Sequence, residues 1–277
     1  MDVRFTTDPV SVKKMSTEEL RKLYLIDALF TEDEIPMIYS DIDRSITGSV
    51  VPIKKSLQLL SSKKEMAAEY FTERREVGVI NIGGDGIINA DGKEYTMSFK
   101  DALYIGRETK EIIFRSKNTG TPAAFYFVSY PAHKKYPTTH STFSSAEPSK
   151  LGNQKDANKR TIYKYIHPRG IPSCQLVMGL TELEEGSVWN TMPPHTHQRR
   201  SEVYMYFNLS PDAMVVHLMG KPDETKHIMI RNRQAVLSPS WSIHAGVGMH
   251  AYTFIWAMGG ENQEFDDLDG VNLNEMK

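Results

Sequence analysis

The sequence predicts a mainly β protein: two tandem antiparallel β-sandwich or jelly-roll units, with one short helix near the N-terminus. Three observations carry that expectation. From Met37 onward, short stretches rich in Val, Ile, Tyr and Phe are interrupted every ten or so residues by Gly, Asn, Asp or Pro, the texture of antiparallel strands joined by tight turns. Two strand blocks in the two halves resemble each other in order and content. Convincing helical periodicity occurs only once.

That helix is expected over Ser16–Phe30. Ser16 stands three residues before Glu19 in capping-box spacing, and Leu20, Leu23, Ile26 and Phe30 recur at helical intervals. Within the β region, INIGGDGIINADGKEYTM reads as strand, turn, strand, turn, strand, with Asp85, Gly86, Asp91 and Gly92 supplying hairpin turns. A phosphate-binding loop would require a helix after the glycines, and no helical pattern follows. From Tyr130 to about Arg160 the chain is rich in Pro, Ser, Thr, Asn and Lys and lacks apolar periodicity, as expected of a linker or crossing segment. The expected organisation is an N-terminal half over residues 1–140, a linker or crossing segment over 141–160 and a C-terminal half over 161–277. FTERREVGVINIGG then DALYIG in the first half parallels HQRRSEVYMYFN then AVLSPSW in the second. Placing Glu76 and Val77 on Glu202 and Val203 aligns the two.

Composition excludes several function classes. A chain of 277 residues, 40% hydrophobic and 25% charged, can bury an ordinary core. Net charge −2 leaves no broad cationic footprint for nucleic acid, so an anionic ligand must be held by local cations. Cys174 is the only cysteine, which rules out an intramolecular disulfide and a thiolate-rich metal site. No stretch approaches the roughly 18 apolar residues of a membrane span, and the N-terminus has no apolar signal region. A cytoplasmic protein is expected.

The chemistry concentrates in PPHTHQRRSEVYMYF, which starts at Pro193. His195 and His197 are two apart, so on an extended strand they face the same way about 7 Å apart, a span one metal ion can bridge. Glu202 is an odd number of residues from both and needs a turn, a bulge or a neighbouring strand to join them. The polar QRRS segment can supply the turn. A third histidine, His244, lies in SPSWSIHAG, where one strand is expected to end and another to return. Three imidazoles and a carboxylate suit Zn, Fe, Mn, Ni or Cu, and the residue types alone leave the choice open. Arg199 and Arg200, and Arg160 with Lys164 on a possible common strand face, are candidates to hold an anionic substrate. Trp189, Met192, Trp241 and Trp256 read as core or pocket wall.

Gly186 ahead of the pair, the H-x-H-x4-E spacing, the apolar strand after it and the later Pro-x4-His resemble the two motifs of the cupin superfamily. More specifically, YFTERREVGVINIGG, KYPTTH, NKRTIYKY, CQLVMGLTELEEGSVWNTMPPHTHQRRSEVYMYF, LSPSWSIHAGVG and YTFIWAMGGENQEFDDLD resemble the 5-keto-4-deoxyuronate isomerases of pectin catabolism. The resemblance implies a bicupin and a homohexamer. It also implies one Zn2+ per chain, held in the C-terminal half by His195, His197, Glu202 and His244. The first half, whose approach reads EYFTERRE without a histidine, would hold no metal. The implied reaction is a ketol isomerisation of a small anionic open-chain sugar acid, 5-dehydro-4-deoxy-D-glucuronate, to 3-deoxy-D-glycero-2,5-hexodiulosonate. Glu202 and Arg200 are then candidates for catalytic roles, and Arg160, Lys164 and Arg199 for substrate contact. The same spacing also suits an iron-dependent cupin dioxygenase or a non-catalytic sugar-binding cupin.

Overall fold

The computed structural model describes residues 1–277. Its contacts divide the chain into two units: Met1–Arg4, Ala28–Glu147 and Tyr165–Val177 form the first, and Phe5–Asp27, Pro148–Lys164 and Met178–Lys277 the second. The units therefore exchange segments rather than following a single cut in the sequence.

Each unit is a seven-stranded sheet with a four-stranded companion. In the first unit the strands Ile46–Val50, Phe125–Pro131, Arg75–Asn81 and Ala102–Ile105 lie side by side, and Gly86–Ala90 and Lys93–Met97 form a hairpin in the smaller sheet. Val77, Val79, Leu103 and Phe127 from the larger sheet share one buried cluster with Ile88, Met97 and Phe114 from the smaller. In the second unit Val177–Leu183, Thr253–Gly260, Arg200–Phe207 and Gln234–Ser238 repeat the same order, and Val215–Lys221 with Glu224–Ile230 repeat the hairpin. The central ladders of both units and the second unit's hairpin are antiparallel, whereas Asp2–Arg4 pairs with Ile38–Ser40 in parallel. This repeated sandwich is the bicupin architecture the motifs imply.

Three expectations need correction. The N-terminal helix spans Thr17–Tyr24, capped by Ser16 and Glu19 in a reciprocal box. It stops short of Phe30 because Leu25 and Ile26 turn to extended backbone and pair with Val236 and Ala235; their burial comes from sheet pairing, not from a helical face. The segment 141–160 is not all connection. Glu147–Leu151 forms the outermost strand of the second seven-stranded sheet. An edge strand exposed on both faces buries no alternating side chains, so it leaves no apolar period in the sequence.

The third correction concerns the repeat. Arg75, Val77, Val79 and Asn81 pair with Pro131, Ser129, Phe127 and Phe125; Arg200, Glu202, Tyr204 and Tyr206 pair with Gly260, Met258, Trp256 and Phe254. Val77, Val79 and Phe127 line the first interior, as Glu202, Tyr204 and Trp256 line the second. Val77 thus occupies the place of Glu202. Aligning Glu76 with Glu202 is one residue out of register, and a one-residue slip sends every side chain to the opposite face. Glu76 points the other way, where its carboxylate accepts from the backbone N–H of Cys174 (2.6 Å), Gln175 (2.8 Å) and Leu176 (2.8 Å) and from the Tyr104 hydroxyl (2.7 Å).

Candidate metal centre

His195 lies on a two-residue strand, His195–Thr196, paired with Asp269–Gly270. After His197 the chain turns: the Arg200 N–H donates to the His197 carbonyl at 3.1 Å, and the Arg200–Phe207 strand begins. That turn, made by the polar QRRS stretch, cancels the odd spacing and returns Glu202 to the histidines. Glu202 belongs to the seven-stranded sheet, whereas His244 immediately precedes Ala245–Gly248 of the four-stranded sheet. The ligand set is therefore drawn from both walls of one sandwich.

The four side chains converge tightly. His195 Nε2 is 3.1 Å from His197 Nε2 and 3.0 Å from His244 Nε2, and Glu202 Oε2 is 3.1 Å from His197 Nε2 and 2.9 Å from His244 Nε2. The ring planes of His197 and His244 are parallel to within 5°, with His195 nearly perpendicular to both. A neutral imidazole nitrogen carries either a proton or a lone pair, so His195 Nε2 cannot satisfy two facing nitrogens with hydrogen bonds. A central cation satisfies all four at once, and a buried set of three nitrogens and one carboxylate oxygen is chemically suited to hold one. Burial, then the neighbouring His244 and His197, push the His195 pKa down to about 2, so the ring is neutral and free to ligate. Burial opposes the charge on Glu202, but His244 and His197 outweigh it and hold the carboxyl well below its usual range.

The orientation of His197 is set from behind. Its Nδ1 lies 3.0 Å from the Asp267 carbonyl. A carbonyl only accepts, so the ring proton sits on Nδ1 and the Nε2 lone pair faces the cluster. The same carbonyl accepts from Arg200 Nη2 at 2.7 Å.

A cavity of about 230 Å³ opens in front of the cluster, with Arg160, Thr191, Tyr204, Trp256, Met258, Phe265 and Leu268 among its lining residues beside His195, His197 and Glu202. Arg160 is the only cation in that lining, and one of its N–H groups is anchored on the Asn158 carbonyl at 2.8 Å. The Tyr204 hydroxyl lies 3.1 Å from Thr191 Oγ1; burial, then the Glu202 charge, raise its pKa well above the usual phenol value, so it stays protonated. The remaining sequence candidates lie elsewhere. Arg199 is paired with Asp267 and Asp269. Arg200 is buried behind His197. Lys164 sits over the Phe265 ring, 5.3 Å from its centroid. Tyr204 and Tyr206 went unnoticed in the sequence, although strand alternation from Glu202 puts both on its face. His217 is also fully buried, with Nδ1 2.7 Å from the Tyr206 hydroxyl. No local signal marks Asp267, which meets His197 across 70 residues of chain.

Known proteins resemble this chain along its whole length. A family model described as the KduI/IolB family matches residues 28–273. A 4-deoxy-L-threo-5-hexosulose-uronate ketol-isomerase from Caldicellulosiruptor bescii is 53% identical over 277 residues, covering 100% of both chains. A protein of the same name from Escherichia coli is 51% identical over 278 residues, again with 100% of both covered. Among solved structures, an IolB-like protein from Salmonella typhimurium superimposes with a TM-score of 0.72 at 12% identity, covering 90% of this chain and 96% of the other, a likeness of fold.

Proposed function

The chain belongs to the KduI/IolB family, and from that premise we propose that it is a metal-dependent ketol-isomerase. Its substrate on this reading is the open-chain 4-deoxy-L-threo-5-hexosulose-uronate of its relatives' names. The observation that carries the reading is a buried three-histidine, one-glutamate cluster opening into a cavity whose lining holds a single guanidinium. The reaction moves hydrogen from C2 to C1, turning the C1 carbonyl into a hydroxyl and the C2 hydroxyl into a carbonyl. Negative charge builds on those two adjacent oxygens in passing. A divalent ion held by His195, His197, Glu202 and His244 would stabilise that charge as a Lewis acid, and zinc would do so without redox chemistry.

The protein's own side chains bind and orient the substrate. Arg160 is placed to pair with the substrate carboxylate and so to fix which end of the sugar acid faces the cluster. The Tyr204 phenol, protonated and held by Thr191, can donate a hydrogen bond to a substrate oxygen but cannot serve as the base. Trp256, Met258, Phe265 and Leu268 provide apolar walls that exclude water. Glu202, flanked by two imidazoles and kept ionised, acts as ligand rather than proton acceptor. Arg199, Arg200 and Lys164 support the site from outside the cavity lining. A cytoplasmic homohexamer completes the reading, supported by the family resemblance.

Elemental analysis and a turnover assay on 4-deoxy-L-threo-5-hexosulose-uronate, run without oxygen, test this. The expected result is about one divalent ion per chain and oxygen-independent isomerisation. Arg160→Met should raise KM for the uronate more than it lowers kcat, because a grip on a remote carboxylate acts in ground and transition states alike. A metal-free active enzyme, or turnover only in oxygen, would refute the reading.

A further inference from the structure

The acidic C-terminal stretch ENQEFDDLDG is not spent as a solvated tail. Asp269–Gly270 forms a ladder with His195–Thr196, and the Val271 N–H donates to the Pro194 carbonyl at 3.1 Å. Asp269 accepts from the Gln198 N–H at 3.0 Å and from Arg199 Nη2 at 2.9 Å. Asp267 accepts from Arg199 Nε at 3.0 Å and from Asn262 Nδ2 at 2.7 Å, with a second Arg199 contact through Nη2. One arginine thus ties both aspartates to the turn that carries the ligands. Between the two aspartates and just before them, Leu268 and Phe265 line the cavity. The carbonyl of Asp267, fixed by those ties, sets the His197 tautomer.

We propose that residues 262–271 form a positioning strap for the metal centre, that Arg199 is its clamp, and that strap order and metal occupancy are coupled. The inference rests on the metal-binding reading above. When the clamp is formed, the Asp267 carbonyl holds the His197 Nδ1 proton, so the Nε2 lone pair is presented without further rearrangement. When it is released, His197 loses its orienting acceptor and can rotate or switch tautomer, and the ion loses one preorganised ligand. Partners behind a ligating histidine commonly contribute 10–100-fold in metal affinity. Coupling is reciprocal, so an ion that needs the ordered strap must also order it. Arg199 then serves as a positioning residue and not as a substrate cation, consistent with its engagement by two carboxylates outside the cavity lining.

Zinc affinity, measured by competition with a chromophoric chelator, and hydrogen exchange of peptides covering 262–271 test the strap without recourse to activity. Arg199→Met should bind zinc roughly 10–100-fold more weakly than wild type, with Arg199→Lys, which keeps the charge but not the two-pronged geometry, in between. In the wild type, removing zinc should speed exchange in 262–271 while leaving peptides from Phe125–Pro131 unchanged. Wild-type zinc affinity in Arg199→Met, or exchange in 262–271 that ignores zinc, overturns the strap while sparing the metal centre. A wild-type protein that binds no zinc overturns both. Should Arg199→Met fail to fold, the exchange comparison on the wild type decides alone.

Discussion

The two sandwiches share strand order and register yet fill their interiors differently. In the first, Val77, Val79, Leu103, Ile105 and Phe127 close the space between the sheets with hydrocarbon. In the second, the corresponding strand positions carry Glu202 and Tyr204 in place of Val77 and Val79, with Ser238 facing Glu202 across the ladder where Ile105 faces Val77. His217 and His244 add buried polar groups from the opposite wall. An apolar interior is stabilising by itself. A polar one costs desolvation that must be offset by hydrogen bonds or a bound cation. The duplicated architecture thus differs between its halves, one interior sealed with hydrocarbon and the other holding a buried polar cluster beside a cavity. Glu76, a buried carboxylate of the first half, sits on the opposite face, satisfied by three backbone N–H groups and a hydroxyl.

Exchanging the diagnostic residues is the most severe way to break the comparison. Glu202→Val, which makes the second interior resemble the first, should strip the metal and lower kcat/KM by more than about 100-fold, beyond the loss expected for an outer partner. The reverse change, Val77→Glu, buries a carboxylate with no cation facing it and should cost roughly 3–5 kcal/mol in a denaturant titration without creating a second metal site. Tolerance of Val77→Glu, or a second bound ion, would show the halves to be less different than their packing indicates.

Phe127→Ala, a truncation in the sealed half, should destabilise by about 3–5 kcal/mol while leaving KM for the uronate unchanged. An altered KM in that variant would tie the first interior to the chemistry. The smallest expected effect is on pH dependence. Burial, followed by the neighbouring His244, lowers the His217 pKa from 6.5 to about 3. The folded value lies below the unfolded one, so the contribution is full above pH 6.5 and is lost as pH falls from there toward 3, at no more than about 1.4 kcal/mol per pH unit. His217→Gln should flatten that acid slope in thermal melts taken across pH 7 to 5. An unchanged slope would remove His217 as the source of acid sensitivity.

The sequence by itself determined the β class, the hairpins, the capped start of the helix and the composition of the three-histidine, one-glutamate cluster. These are encoded locally: strand alternation, turn dipeptides and a capping box act over a few residues, and the H-x-H-x4-E spacing places three of the four cluster residues within one turn of chain. It misled where a local pattern had two readings. The repeated RR motif suggested Glu76 for Glu202, and only the pairing of Val77 with Ser129 and of Glu202 with Met258 shows which side chain faces inward. Tertiary structure alone decided where the cations lie and what they touch. Arg160, Arg199, Arg200 and Lys164 are equivalent as charges in a string of letters. Their surroundings separate only once folding brings Asp267 and Asp269 to Arg199, the Asp267 carbonyl to Arg200 and Phe265 to Lys164, leaving Arg160 in the cavity lining. Those partners lie tens of residues away, and an electrostatic contact depends on distance in space, which no local pattern records.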